Sequence, residues 1–263
     1  CRRLCGMVVE MASDALHGQG CALQAADVDG LPPSVDSEAA LGAALKGRSA
    51  FYRMIAALYF KPLSQEQIDH MAQADFSAYK GIDDSFDKGL SDIARVLRKR
   101  NTGTRQDLAV DFTAAFAGTS SWEGRYAVPY KSVFTSDEGL MYQDGYREVF
   151  SAFKQNCVRR RDGLDYPDDH LSFMCEFMAI LSDHAEAHMS AGEWAKVRKD
   201  LETSRDFLDA HIMSWFDDFS DLAQKILKGR FYRGVLAMTE GFFELDRNVM
   251  REMLEEVEAR RAA

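Results

Sequence analysis

Residues 83–100 read Asp-Asp-Ser-Phe-Asp-Lys-Gly-Leu-Ser-Asp-Ile-Ala-Arg-Val-Leu-Arg-Lys-Arg. Phe86, Leu90, Ile93 and Leu97 recur at spacings of four, three and four, which places them on one stripe of an α-helix. Aspartates at the start and Arg98-Lys99-Arg100 at the end complement the helix dipole. The same period extends in both directions. Ser37 to Phe60 reads as a helix with Phe51, Ile55, Leu58 and Tyr59 on one side, stopped by Lys61-Pro62. Ser64-Gln65-Glu66-Gln67 has the form of a capping box and opens a short helix to about Phe76. Thr104 to Ala117 carries Leu108, Phe112 and Phe116 in register. Helices are also expected over about Tyr142–Val158, from Leu171 through Met174, Phe177, Met178 and Leu181, and over Ala191–Phe216, Ser220–Lys228 and Phe231–Ala259. The spacings predict an all-α, single-domain, multi-helix bundle of roughly nine or ten helices.

Composition agrees. Ala, Leu and Met together number 67 against 28 for Val, Ile and Thr, a balance that argues against a sheet-based fold. Only five prolines interrupt 263 residues, so long helices are permitted. Residues 17–36 are rich in Gly, Ala, Asp and Pro without a period, and residues 1–45 are read as a poorly defined N-terminal extension to a helical domain over 46–263. In that extension Arg2-Arg3 precede an apolar run that Glu10 and Asp14 cut short, so it is not read as an export signal.

The net charge of −10 makes nucleic acid or an anionic membrane a poor partner and a cationic peptide a better one. No apolar run approaches the roughly 18 residues of a membrane span. Five cysteines without a CxxC pair suggest a reducing, cytoplasmic setting, with Cys157 and Cys175 as small core residues.

The common catalytic and phosphate-binding signatures (GxGxxG, GxxxxGK[ST], GxSxG, HExxH) are absent. His184 and His188 are four apart and share a helix face, which reads as a solvated polar face. The Arg159-Arg160-Arg161 run reads most simply as a solvated loop or helix end. Convergence of His170, His184 and His188 on a ligand, or of that arginine run on an anion, defines an alternative: a helical metal- or nucleotide-binding enzyme. The favoured reading has no catalytic residue, metal or cofactor.

Two loops stand out. Gly118 to about Gly139 is the longest non-helical stretch and is rich in aromatic side chains: Trp122, Tyr126, Tyr130 and Phe134, with Pro129 shaping it. The second loop ends in Pro167-Asp168-Asp169-His170-Leu171. An aspartate here can cap the first turn of the following helix. Alternatively, Asp169 and His170 offer an acceptor pair to an arginine guanidinium, which binds carboxylates bidentately.

Five segments in order resemble one family. Phe51-Tyr52 through Phe60-Lys61-Pro62-Leu63 is similar to its first helix, and Asp111 to Gly118 to its DYxRLFxG stretch. Pro129-Tyr130-Lys131-Ser132-Val133-Phe134, with Glu138-Gly139-Leu140-Met141, is similar to its PYESVY…GLL loop. Pro167 to Leu171 with Glu176 to Leu181 is similar to its PDHLxxELEFMxxL signature. Phe207 to Ile212 with Trp215-Phe216 is similar to its FLxxHLxxWxxxF helix. The family is the TorD/DmsD/NarJ-type chaperones of redox-enzyme maturation. The chain departs from it in the extra Asp168 and in Ala114-Ala115, where the family has Arg-Leu.

The resemblance implies a cytoplasmic, all-helical chaperone, monomeric or dimeric, without catalysis of its own. Such proteins bind an apo-molybdoenzyme catalytic subunit, through its twin-arginine signal peptide or another segment, until molybdopterin is inserted. The peptide-binding residues expected are Asp169 and His170, then Pro129, Tyr130 and Ser132, with Trp122, Tyr126 and Phe134 as apolar contacts.

Overall fold

The structure is a computed structural model and describes residues 33–76, 81–161 and 163–262. Ten α-helices follow one another among these residues: α1 Pro33–Phe60, α2 Gln65–Met71, α3 Asp84–Arg98, α4 Thr104–Ala115, α5 Lys131–Thr135, α6 Asp144–Gln155, α7 Leu171–Ser190, α8 Trp194–Phe207, α9 Ser214–Ile226 and α10 Arg230–Ala262. A π-helical turn, Leu208–Met213, joins α8 to α9. No strand occurs among the described residues, only two isolated bridges. The all-α expectation is met.

The stripes read from the sequence are the stripes that are buried. Phe86, Leu90, Ile93 and Leu97 of α3 face inward, as do Phe51, Ile55, Leu58 and Tyr59 of α1. The Asp83 side chain caps α3 by accepting the Phe86 N–H at 2.9 Å. At α2 the capping box closes in both directions, Gln67 N–H to Ser64 Oγ at 3.2 Å and Ser64 N–H to Gln67 Oε1 at 2.9 Å.

The main pairings are α1 on α7 and α10 on α3, with α8 against both α7 and α10. The α3–α10 crossing depends on two glycines. A Cβ on Gly89 would lie 2.4 Å from the Met238 nitrogen and 2.5 Å from the Gly234 carbonyl oxygen, so only hydrogen fits there.

The core has two parts. The larger runs from Phe51 through the aromatic side chains of α4, α7, α9 and α10. The smaller joins Leu41, Ala44 and Leu45 of α1 to Ala185, Met189, Val197, Leu201, Met253 and Val257. Arg48 and Asp246 lie near where the two meet, both almost fully buried. The guanidinium pairs with the carboxylate at 2.7 and 3.0 Å and also donates to Ser182 Oγ at 2.6 Å, while the Tyr52 hydroxyl donates to Asp246 at 2.6 Å. This network pins α1 to α7 and α10.

Several boundaries differ from the sequence reading. The helical region begins earlier than residue 46: α1 runs unbroken through that position, and Leu41, Ala44 and Leu45 are held by the second core. Residues 1–32, with Cys1, Cys5 and Cys21, lie outside the described residues. The stretch 118–139 contains a helix, α5, that is only five residues long and too short to show a period. The expected helix Ala191–Phe216 is interrupted by the π turn, and α9 runs through the break expected before Ser220. The π turn frees carbonyls that side chains then take, one of them distant in the chain. Ala210 O accepts from Lys131 Nζ at 3.2 Å and from Ser214 Oγ at 2.9 Å. His211 O accepts from Trp215 Nε1 at 2.7 Å. Cys175 is buried, but Cys157 is exposed, because it sits just past the end of α6 in a left-handed conformation at φ 56°.

Candidate functional site

The two loops singled out in the sequence meet. Leu171 N–H donates to Pro129 O at 2.9 Å and Lys131 N–H donates to Asp169 O at 3.1 Å, pairing Tyr130 with His170 as a one-rung antiparallel bridge. Asp169 Oδ2 accepts the Ser132 N–H at 2.8 Å and so caps α5 from across the chain. Asp169 and Ser132 are fully buried. Burial pushes the Asp169 carboxyl above the usual carboxylate range, against the opposing hydrogen bonding of Ser132.

His170 is equally enclosed. Its Nδ1 accepts the Ser172 N–H at 3.1 Å, capping α7 and placing the ring proton on Nε2. Tyr130, Tyr166, Phe173 and Phe60 surround the ring at centroid distances of 4.9, 5.6, 5.8 and 6.4 Å. Burial drives its pKa down to about 3, so the imidazole is neutral. Pro129, Tyr130, Ser132, Asp169 and His170 thus form one buried clasp.

The three remaining residues fall elsewhere. Phe134 packs into the core against Trp215 at 5.6 Å and Phe219 at 5.7 Å. Trp122 and Tyr126 are about half exposed beside a tight turn in which Trp122 pairs with Arg125 and both Glu123 and Gly124 take positive φ. No ring contact joins them to the clasp among the described residues.

Lys131, beside the clasp, carries a buried ammonium that sequence reasoning passed over. It reaches Glu148 Oε2 at 2.5 Å, Ala210 O at 3.2 Å and His211 Nδ1 at 2.8 Å. Three protons meet three acceptors, so the cation is a tie between α5, α6 and the π turn. Burial, and then Lys131, lower the His211 pKa to about 4, which keeps that ring neutral.

On the outer side of the clasp an open cavity of about 620 Å³ lies between α1, α7 and the loop after α6. Phe60, Phe153, Phe173, Phe177 and Ile180 give it apolar walls, and Lys61 and Arg159–Arg161 also line it. Phe60 joins cavity to clasp, since its ring touches both Tyr166 at 5.5 Å and His170. The Arg159–Arg161 run is therefore a cavity wall and not simply a solvated loop.

Beyond the clasp, α6 and the residues just before it present a second feature. Tyr142, Tyr146 and Phe150, spaced by four, form a ladder: Tyr142, which precedes the helix, meets Tyr146 edge-on at 5.2 Å, and Tyr146 stacks on Phe150 at 6.1 Å between centroids. Leu140, Met141, Tyr142 and Phe150 are all exposed, an apolar patch of the kind that marks a contact surface. Asp137, Glu138 and Asp144 are exposed near it in the chain. The spacing of four was visible in the sequence; the exposure of the stripe was not. Asp168 lies 3.9 Å from Arg160 of the cavity wall, and burial together with the Asp168 carboxylate raises the Tyr146 pKa.

The histidine alternative does not assemble. His170 caps the N-terminus of α7, and His184 stands 14 residues along the same chain, on the order of 20 Å by helical rise. His188 instead pairs through Nδ1 with Asp200 at 2.7 Å. No group of three or more potential metal ligands occurs among the described residues.

Residues 80–221 match the family model described as nitrate reductase delta subunit. The chain belongs to this family. Similar proteins include the protein named Chaperone protein TorD of Vibrio cholerae serotype O1 (strain ATCC 39541 / Classical Ogawa 395 / O395), 24% identical over 213 residues, covering 80% of this chain and 94% of that relative. Chaperone protein TorD of Vibrio vulnificus (strain YJ016) is 26% identical over 209 residues, with 76% and 92% covered. That of Aliivibrio salmonicida (strain LFI1238) is 20% identical over 204 residues. The TorD/DmsD/NarJ-type family read from the motifs is borne out, and its matched region contains the clasp, the ladder and the loop that lines the cavity. No helix among the described residues is long and apolar enough to cross a membrane.

Proposed function

We propose that this family member is a maturation chaperone, working in the cytoplasm by binding and not by catalysis. Its client is an apo-molybdoenzyme catalytic subunit, gripped by the twin-arginine leader until molybdopterin is in place. The observation that carries this reading is the open, phenylalanine-walled cavity, whose wall residue Arg160 stands 3.9 Å from Asp168, together with the exposed aromatic ladder at α6. A twin-arginine leader joins a cationic stretch to an apolar one. The cavity suits the apolar part, where each buried large side chain contributes about 1.5–3 kcal/mol. The ladder, with Asp168 and the exposed acids near it, suits the arginines through carboxylate pairing and cation–π contact.

The clasp has a supporting part in this proposal. Asp169 and His170 fix the backbone that presents Asp168 and Tyr166, while Tyr130, Ser132 and Pro129 close it from the other side. The acid that meets the client is Asp168, not Asp169.

The lysine and arginines in the cavity wall favour a second mode, in which an acidic segment of the mature client docks there. Calorimetric titration with a synthetic leader peptide and with the leaderless client subunit separates the two. Leader binding is expected; binding of the leaderless subunit alone would move the contact to the client's body, and binding of neither would end the proposal.

A further inference from the structure

The Arg160 guanidinium leaves the basic run at 159–161 and lies between two acceptors on the following turn. One guanidinium nitrogen donates to the Tyr166 carbonyl, and Nε stands 3.9 Å from Asp168 Oδ1. The Asp168 side chain is only 8% exposed, against 31% for Arg160, so the arginine covers the acid. Burial, and then the charge of this acid, raises the pKa of Tyr146 in the ladder. Arg159 and Arg161 line the cavity as Arg160 does, yet among the described residues only Arg160 reaches Asp168.

A carboxylate and a backbone carbonyl beside one planar cation form a guanidinium site, and this chain fills it itself. We infer that Arg160 is a resident stand-in for a client arginine, held in the Asp168–Tyr166 cradle and displaced when an arginine-bearing segment binds. The inference rests on the leader-binding reading of the groove and adds to it the position one arginine takes and the side chain it must evict.

Two consequences follow from the geometry. Displacement exchanges one charge-assisted contact for another, so the resident arginine lowers affinity without abolishing it and sharpens selection. An incoming lysine is a poor substitute, because an ammonium lacks the planar fork that serves two acceptors in one plane. Once evicted, Arg160 swings back toward the cavity wall formed by its neighbours.

The test uses the full chain, one synthetic peptide carrying Arg-Arg before an apolar run, and its Lys-Lys counterpart, with calorimetry as the readout. Arg160→Ala removes the stand-in; Arg105→Ala, exposed on α4 and outside the cavity wall, removes the same charge; Asp168→Asn weakens the cradle. Arg160→Ala is expected to bind the Arg-Arg peptide about fivefold more tightly, the equivalent of one partly exposed ion pair, and to leave Lys-Lys binding within about twofold. Arg105→Ala is expected to change neither by more than about twofold, and Asp168→Asn to erase the Arg-Arg preference, with melting curves confirming that all three fold. If wild type binds the Arg-Arg peptide but Arg160→Ala binds it equally or less well, or if Arg105→Ala reproduces the gain, the stand-in role is overturned while leader binding survives. If neither wild type nor Arg160→Ala binds either peptide, the leader-binding reading falls and takes this inference with it.

Discussion

Asp169 Oδ2 accepts the backbone N–H of Ser132 at 2.8 Å, from a residue 37 positions away, with both residues out of contact with water. The bond caps α5 and locks the two conspicuous loops together. An acid so placed holds the fold and is closed to a client. Asp169→Ala leaves the Ser132 N–H buried without a partner and is expected to cost about 1–3 kcal/mol of stability by urea denaturation. Asp169→Asn keeps an acceptor oxygen and removes a carboxyl whose ionisation burial already opposes, so it is expected to lose less than half as much. Equal losses for the two would mean the charge, not the bond, is what the clasp needs.

His170 gives the clasp an acid limit. Its folded pKa of about 3 lies below the ordinary value of 6.5, so between these two the unfolded chain binds the extra proton. Stability therefore falls as pH drops from 6.5 toward 3. This single group accounts for about 2 kcal/mol between pH 7 and pH 5. His211 acts in the same sense, and the raised Asp169 carboxyl in the opposite sense within the carboxylate range. Denaturant titrations at pH 7 and 5 are expected to show a smaller loss for His170→Gln than for the wild type. Identical losses would remove His170 from the account.

The buried Arg48–Asp246 pair is costly to break from one side. Asp246→Ala strands the guanidinium and is expected to cost about 3–5 kcal/mol. Replacing both, as Arg48→Met with Asp246→Leu, is expected to cost less than that single change. A double variant weaker than Asp246→Ala would show that the wider network with Ser182 and Tyr52, and not the stranded charge, sets the loss.

The α3–α10 crossing gives a steric prediction. Gly89→Ala puts a methyl group into the backbone of α10 and is expected to lower stability by about 1–3 kcal/mol, despite the better helix propensity of alanine. A melting temperature at or above wild type would contradict the close approach.

What was legible in the sequence follows the range of the interactions. Phe86, Leu90, Ile93 and Leu97 announced a helix because their spacing is local, and Ser64 with Gln67 announced a cap for the same reason. The segments around Tyr130 and His170 stand out in the sequence by composition, but nothing within either one shows that they pair with each other. Asp169 and Asp168 look alike in sequence; only the fold turns one inward to Ser132 and leaves the other beside Arg160. Lys131 and the π turn at 208–213 depend on each other across 79 positions, which periodicity cannot see. The ladder of Tyr142, Tyr146 and Phe150 has the spacing of a core stripe, and its exposure is decided by what does not pack on it.

The central claim is that a client's apolar segment lies in the cavity beside Phe60. Ala57 lines that cavity from α1 and is exposed, so Ala57→Trp fills the groove without disturbing the core. Calorimetric titration of wild type and Ala57→Trp with the leader peptide, alongside their melting curves, tests the claim directly. The account predicts at least about tenfold weaker binding, the loss of one buried large side chain's contribution, at an unchanged melting temperature. Equal affinity for the two proteins would place the client elsewhere and contradict it.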